Sequence, residues 1–131
     1  MKCLSIIIVV SIAIFSLLSF TKYKKRIVTV NVSWYGSTHH GKLTASGEKF
    51  NMYEYTAAHK TLPFGTKVLI TNPVNGCNVI VTINDRGPFI KTREFDLSKA
   101  AFLQIAPLSV GIIKVEYKIL KDKPECKELY D

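Results

Sequence analysis

Two aspartates, Asp85 and Asp96, stand where a carboxyl group could act as an acid. Asp85 ends a β-branched run and precedes an Arg-Gly-Pro turn. A carboxylate at a strand end often faces a groove, although it can also bind its own loop in an Asx-turn. Asp96 precedes a helical pattern, so it is either a rival acid or an ordinary helix N-cap. Both carboxyl groups are of a type that can perform acid–base chemistry.

The histidines and cysteines do not form a recognisable metal-binding pattern. His39, His40 and His59 lack the spacing of a metal site, and a closed zinc site needs four ligands. In an oxidising compartment, Cys77 and Cys126 could form a disulfide that stabilises the fold by about 3–4 kcal/mol. Alternatively, Cys77 is a small buried apolar side chain and Cys126 belongs to a loose tail. We therefore expect no metal and no cofactor, and the disulfide stays open.

Four segments predict the strands that must position these side chains. They alternate at period two or are rich in β-branched residues, and they span residues 27–35, 67–71, 78–83 and 112–120. Asn75-Gly76 separates the second from the third and suits a turn that needs positive φ. The polar, glycine-containing residues 36–50 are typical of a loop.

Two short helices complete the prediction. Asn51 is placed to cap a helix through residue 55, and Asp96 to cap a second one over residues 97–105, which Pro107 ends. Short strands with one or two short helices favour a small closed β-barrel over a sandwich, because closure leaves no strand edge exposed.

Four sequence segments together carry a family resemblance. They are SWYG…HGKLTASGEKF (33–50), YTAAHKTLPFGTKV (55–68), INDRGPF (83–89) and REFDLSKAA (93–101). In this order and at these separations they resemble the rare lipoprotein A family, double-psi β-barrel proteins similar to peptidoglycan lytic transglycosylases. The resemblance extends over nearly all of the folded part. It implies a mainly β fold, a small closed six-stranded double-psi β-barrel with one or two short helices.

The same resemblance implies a reaction. Members of the family cleave the β-1,4 bond between N-acetylmuramic acid and N-acetylglucosamine, preferably where stem peptides have been removed. A carboxylic acid protonates the leaving oxygen, and the sugar's own 6-hydroxyl attacks and leaves a 1,6-anhydro end. Because the nucleophile belongs to the substrate, no second carboxylate is needed to activate water.

Roles for individual residues also follow from the resemblance. It implies that Asp85, Glu48 and His59 matter for activity, although Glu48 also fits an exposed surface acid and His59 a structural histidine. The EFDLS context of Asp96 looks like the HFD element of expansins and related glucanases, in which that aspartate is the proposed acid.

Substrate binding is predicted at Trp34, Tyr35 and Arg86. The two aromatic rings could stack on sugar faces, although aromatic residues at a strand end are equally often part of a core. Arg86 can form two parallel hydrogen bonds with a carboxylate, whether that of Asp85, of Asp96 or of a muramic acid.

The two ends of the chain predict its location. Residues 1–25 contain an apolar run followed by basic residues, which fits a cleaved signal peptide, an uncleaved inner-membrane anchor or, less well, a cytoplasmic-facing tail. Cys3 precedes the apolar run, so it is not a lipoprotein cysteine. The barrel is expected over residues 27–120 and a polar tail over residues 121–131. We expect an exported protein of the periplasm or cell envelope that contacts the membrane only through its N-terminal segment.

The charge balance leaves three functional classes. With 18 basic and 10 acidic residues the net charge is +8, which favours polyanions, but no nucleic-acid-binding pattern accompanies it. We expect a monomer whose partner is the peptidoglycan glycan strand. An enzyme is the main prediction, and the alternatives are an expansin-like module that binds without cutting and an anchored structural protein.

Overall fold

The computed structural model describes residues 27–121. The predicted signal or anchor and nearly all of the predicted tail lie outside the described residues, as does Cys126. Signal cleavage, anchoring and the disulfide therefore stay predictions; Cys77 itself is exposed, not buried. No helix between residues 27 and 121 has the length and apolarity needed to cross a bilayer.

Six strands close into one barrel in the spatial order β1-β5-β2-β4-β3-β6. They are β1 (Thr29–Tyr35), β2 (Thr56–His59), β3 (Lys67–Thr71), β4 (Asn78–Asp85), β5 (Phe95–Ser98) and β6 (Ile113–Leu120), with one helix, α1 (Lys99–Leu103), and a 3-10 turn at Leu108–Val110. The β1–β5 and β2–β4 pairs are parallel, and the other four pairs are antiparallel. The predicted closed six-stranded barrel is thereby confirmed.

Apolar side chains fill the barrel. Fully buried residues come from every strand, including Val32, Ile70, Ile83, Leu97 and Val115. Burying each such side chain contributes about 1.5–3 kcal/mol. Along β1 the alternation sends one set of side chains to this core and the other set to the outer face, where the site is built.

The structure extends the predicted set of strands by two. Neither β2 nor β5 was predicted, because each has only four residues and neither shows period-two alternation. All four residues of β2 are buried, and a strand covered on both faces loses the alternating pattern that reveals it. The predicted turn at Asn75-Gly76 is confirmed, with a φ of +74° at Gly76.

Both helix predictions need correction. Asp96 is not an N-cap: it lies within β5, and Ser98 caps α1 with its hydroxyl accepting from the amide of Ala101 at 3.3 Å. Pairing of β5 with both β1 and β2 outweighs the helical periodicity there. At Asn51 there is a turn instead of a helix, in which its side-chain oxygen accepts from the amide of Tyr53 at 3.0 Å.

Candidate active site

An open cleft of about 350 Å³ contains both predicted acids. Its polar lining includes Tyr35, His39, Asp85, Arg86, Arg93 and Asp96, and residues 87–90 form its rim. A larger groove of about 470 Å³ against β3 and β6 is mainly apolar and contains neither aspartate. We therefore place the site in the smaller cleft.

Strand register brings the two aspartates to one face. Ala58 of β2 pairs with Asp85 of β4 on one side and with Asp96 of β5 on the other. The pairing of β2 with β4 shifts between Ala57 and Ala58, so that Asp85 and not Asn84 lies opposite Ala58. Since neighbouring strands are about 4.8 Å apart, the Cα atoms of the aspartates are separated by about 10 Å across a small methyl group.

Asp85 is held by the backbone. Its Oδ1 accepts hydrogen bonds from the amides of Ala45 at 2.9 Å and Arg86 at 2.8 Å. Among residues 27–121, Oδ2 accepts no hydrogen bond and no basic side-chain nitrogen lies within 4 Å of this carboxylate. Gly87, two residues after Asp85, has a φ of +124°, a backbone conformation that favours glycine where the chain turns along the cleft.

Asp96 is held by side chains. Ser33, its register partner on β1, donates its hydroxyl to Oδ1 of Asp96. Nη1 of Arg93 donates to Ser33 Oγ at 2.7 Å and lies 3.7 Å from Asp96 Oδ1. This carboxylate therefore sits beside a positive charge, in contrast to Asp85.

Tyr35 lines the cleft together with both aspartates. Its ring stacks on Phe50 at a centroid distance of 4.5 Å and meets the ring of His39 edge-on at 5.4 Å. The hydroxyl is buried and has no hydrogen-bond partner among the described residues. Burial, together with the charges of Asp85 and Asp96, raises the pKa of Tyr35, so the hydroxyl stays protonated. It is a neutral, buried group that lacks a hydrogen-bond partner among residues 27–121.

His59 lies beneath the cleft and does not line it. The side chain is buried, and its Nδ1 accepts from the amides of Thr61 at 3.1 Å and Leu62 at 3.0 Å. The proton of the neutral ring is therefore on Nε2, which donates to Glu94 Oε1 at 2.9 Å. This arrangement fixes the loop after β2.

Arg86 binds that same loop and not an aspartate. Its Nη1 donates to the carbonyls of His59 at 3.3 Å and Leu62 at 2.8 Å, and its guanidinium lies 4.0 Å above the ring of Phe64. The predicted pairing with Asp85 or Asp96 is absent among residues 27–121, where the guanidinium is held instead by two backbone carbonyls and the Phe64 ring.

Two other predicted site residues lie outside the cleft lining. Glu48 is exposed, and its Oε2 accepts only a long 3.4 Å hydrogen bond from Asn84, although its loop supplies the Ala45 amide to Asp85. Trp34 packs against the core on the opposite side of β1 from Tyr35, and its Nε1 donates to the Leu108 carbonyl at 3.2 Å. Side-chain alternation makes Trp34 a core aromatic, whereas Tyr35 lines the cleft.

Sequence reasoning missed Ser33 and Arg93. Ser33 shares the outer face of β1 with Tyr35, so the period-two pattern carried a signal for it. Arg93 lies three residues before Asp96 in the sequence. Only the strand position of Asp96 shows that the two side chains approach each other, with 3.7 Å between Nη1 and Oδ1. Within residues 27–121 no group of three or more histidine, cysteine or acidic side chains is arranged to hold a metal ion.

The sequence matches the family described as lytic transglycolase over residues 27–117. It is 48% identical over 89 residues to the probable endolytic peptidoglycan transglycosylase RlpA of Aquifex aeolicus, covering 68% of this chain and 39% of that protein. The endolytic peptidoglycan transglycosylase RlpA of Vibrio cholerae is 47% identical over 93 residues, covering 70% and 35%. The chain thus spans little more than a third of the length of these relatives.

Solved structures share the fold. The Streptomyces papain inhibitor matches with a TM-score of 0.60 at 23% identity, over 74% of this chain and 96% of that one. The Clavibacter michiganensis expansin in complex with cellohexaose also reaches 0.60, at 18% identity, over 74% and 52%. At such identities the likeness shows the fold alone, and it confirms the predicted double-psi β-barrel.

Proposed function

Because this chain belongs to the lytic transglycolase family, we propose that its cleft cleaves peptidoglycan glycan strands endolytically. The observation that carries the proposal is the meeting of Asp85 and Asp96 on one face of the barrel, in a cleft open to solvent. Tyr35 adds an aromatic ring to the cleft lining, a type of side chain that packs on sugars.

Asp85 is the proton donor in this proposal. Its Oδ1 is fixed by two amides, which leaves Oδ2 to carry the proton toward the glycosidic oxygen. Asp96 lies beside Arg93, where its carboxylate is placed to stabilise the positive charge that develops at the anomeric carbon. Because the two carboxylates have different neighbours, we assign proton donation to Asp85 and charge stabilisation to Asp96.

The nucleophile is the 6-hydroxyl of the muramic sugar. The bond from O6 to C1 forms as the bond from C1 to the leaving oxygen breaks, and that oxygen receives the Asp85 proton. The carboxylate of Asp85 then takes the proton of the 6-hydroxyl, which regenerates the acid. The products are a 1,6-anhydro-N-acetylmuramic acid end and a free 4-hydroxyl on N-acetylglucosamine, without water. An attached nucleophile reacts at a high effective concentration.

The substrate fixes the place of action. Peptidoglycan lies outside the inner membrane, so the reaction requires export, for which residues 1–25 are the predicted signal or anchor. We propose that the protein acts in the cell envelope as a monomer, on strands that have lost their stem peptides.

Product analysis tests the proposal. The purified full chain is incubated with peptide-free glycan strands, and mass spectrometry is used to look for anhydro ends. Such ends support the enzyme. Retention of the strands without products would indicate an expansin-like binding module, and neither retention nor products would indicate a structural protein.

Asp85→Asn provides the matched negative control. It preserves the size and the hydrogen-bond acceptor of the side chain, so its thermal unfolding should stay close to that of the wild type while product disappears. Glu54→Gln removes an exposed carboxylate outside the cleft lining and should leave the rate unchanged.

A further inference from the structure

Arg93 is the cleft residue with unused binding capacity. It lines the cleft with both aspartates, and about a quarter of its side chain (23%) is exposed. Among residues 27–121 only Nη1 is engaged, by Ser33 and, at 3.7 Å, by Asp96.

The other edge of this guanidinium has no protein acceptor. Nε is buried without a hydrogen-bond partner among the described residues, and Nη2 donates to none of them. A buried N–H without an acceptor is destabilising unless a ligand supplies one. Nε and Nη2 form one edge of the planar fork, the geometry that binds both oxygens of a carboxylate.

The charges of the cleft allow an anion. Two arginines, Arg86 and Arg93, balance two aspartates, Asp85 and Asp96. When Asp85 carries the proton it must donate, the cleft becomes net positive. Arg86 likewise donates through Nη1, but to two backbone carbonyls of the loop after β2, and its guanidinium lies on the Phe64 ring. Arg93 is the arginine of the cleft whose Nε is buried without an acceptor among the described residues.

The proposed substrate offers such an anion. Each muramic acid carries a lactyl group, whose carboxyl is a neutral amide where a stem peptide is attached and a free carboxylate where the peptide has been removed. We propose that Arg93 binds this free lactyl carboxylate and so selects peptide-free strands. The inference rests on the proposed function and assigns its specificity to one residue.

A binding comparison tests the inference without cleavage. All proteins carry Asp85→Asn, which mimics the protonated acid and prevents turnover. Affinity is measured for two probes: short peptide-free strands, and the same strands with every lactyl carboxylate converted to its methylamide. The ratio of the two dissociation constants is the readout, because a purely structural role of Arg93 would change both constants alike.

We expect the protein with an intact Arg93 to bind the carboxylate strands about tenfold more tightly than the methylamide strands. Arg93→Gln should reduce this ratio to about one, and Arg93→Lys should retain part of it through charge alone. Lys91→Gln removes the same charge from the same loop outside the cleft lining, and should keep the full ratio. Thermal unfolding confirms that each variant is folded.

Two results would overturn the inference: a ratio near one with Arg93 intact, or a ratio that Arg93→Gln leaves unchanged. If the binding preference for carboxylate strands is found, but the wild-type protein with Asp85 makes no anhydro ends, only the proposed reaction is refuted. Anhydro ends from a protein without carboxylate preference would refute only the role of Arg93.

Discussion

The two walls of the cleft hold their carboxylates by different means. On the Asp85 wall, formed by the end of β4 and the loop of residues 43–49, two backbone amides bind the acid. On the Asp96 wall, formed by β5 and β1, a serine hydroxyl and an arginine bind it. Backbone donors are positioned by the fold, whereas side-chain donors are lost with a single substitution. The Asp96 wall should therefore be the more sensitive to changes in its neighbours.

The largest expected effect separates the two acids. Asp85→Asn should lower the rate of anhydro product formation by about 10²–10⁴-fold, the usual contribution of a general acid. Asp96→Asn should lower it by less, because it removes a stabilising charge and leaves the proton donor in place. Both rates are measured on peptide-free strands.

If Asp96→Asn lowered the rate more than Asp85→Asn, the assigned roles of the two aspartates would have to be exchanged. In that case Asp96 is the acid, and Asp85 with its backbone ligands supports the anomeric charge. Equal losses would show that the carboxylates act as one unit.

The next effect concerns His59, which lies outside the cleft lining. His59→Ala should lower the free energy of unfolding by about 1–3 kcal/mol, since the amides of Thr61 and Leu62 lose their acceptor and Glu94 its donor. Denaturant unfolding measures this loss. Glu94→Gln keeps an acceptor for Nε2 and is the control, expected to change stability little; an equal loss in both variants would contradict the assigned hydrogen bonds.

Ser33→Ala weakens only the Asp96 wall. It removes the hydroxyl that joins Asp96 to Arg93, so we expect about a tenfold lower rate of product formation, equivalent to about 1.4 kcal/mol. Ala45→Ser changes a side chain on the Asp85 wall but keeps the amide that binds Asp85, and should leave the rate unchanged. A larger loss in Ala45→Ser than in Ser33→Ala would remove the contrast between the walls.

Tyr35→Phe should have the smallest effect on stability. Its hydroxyl has no partner among the described residues, so its loss should leave the free energy of unfolding unchanged or raise it by up to about 1 kcal/mol. The raised pKa means that the folded protein retains this proton when unfolded tyrosine, with its ordinary pKa of 10.0, releases it.

A pH series checks that assignment. As the pH rises above about 10, the wild type should lose up to about 1.4 kcal/mol per pH unit from this group, and Tyr35→Phe should lack that contribution. If the free energy of unfolding fell equally steeply with pH in both proteins, the Tyr35 hydroxyl would be exposed to water and its pKa would not be raised.

The barrel and the family could be predicted from the sequence. The different hydrogen-bond partners of the two aspartates could not. Alternation revealed the longer strands, and the motif around Asp85 revealed an acid at a turn. The strand β5 was hidden because its four residues also continue a helical pattern into α1, which made Asp96 look like a cap. Ser33 and Arg93 acquire their roles only when β1 pairs with β5, a contact across about sixty residues that local patterns do not record.

The central claim is that one acid and the sugar's own hydroxyl suffice. A pair of carboxylates could also activate water, as in hydrolytic glycosidases, and the spacing of Asp85 and Asp96 alone does not separate the two reactions. Digesting peptide-free strands in ¹⁸O-labelled water, with mass spectrometry of the new ends, distinguishes them. We predict 1,6-anhydro ends that contain no ¹⁸O; reducing ends labelled with ¹⁸O would contradict the account.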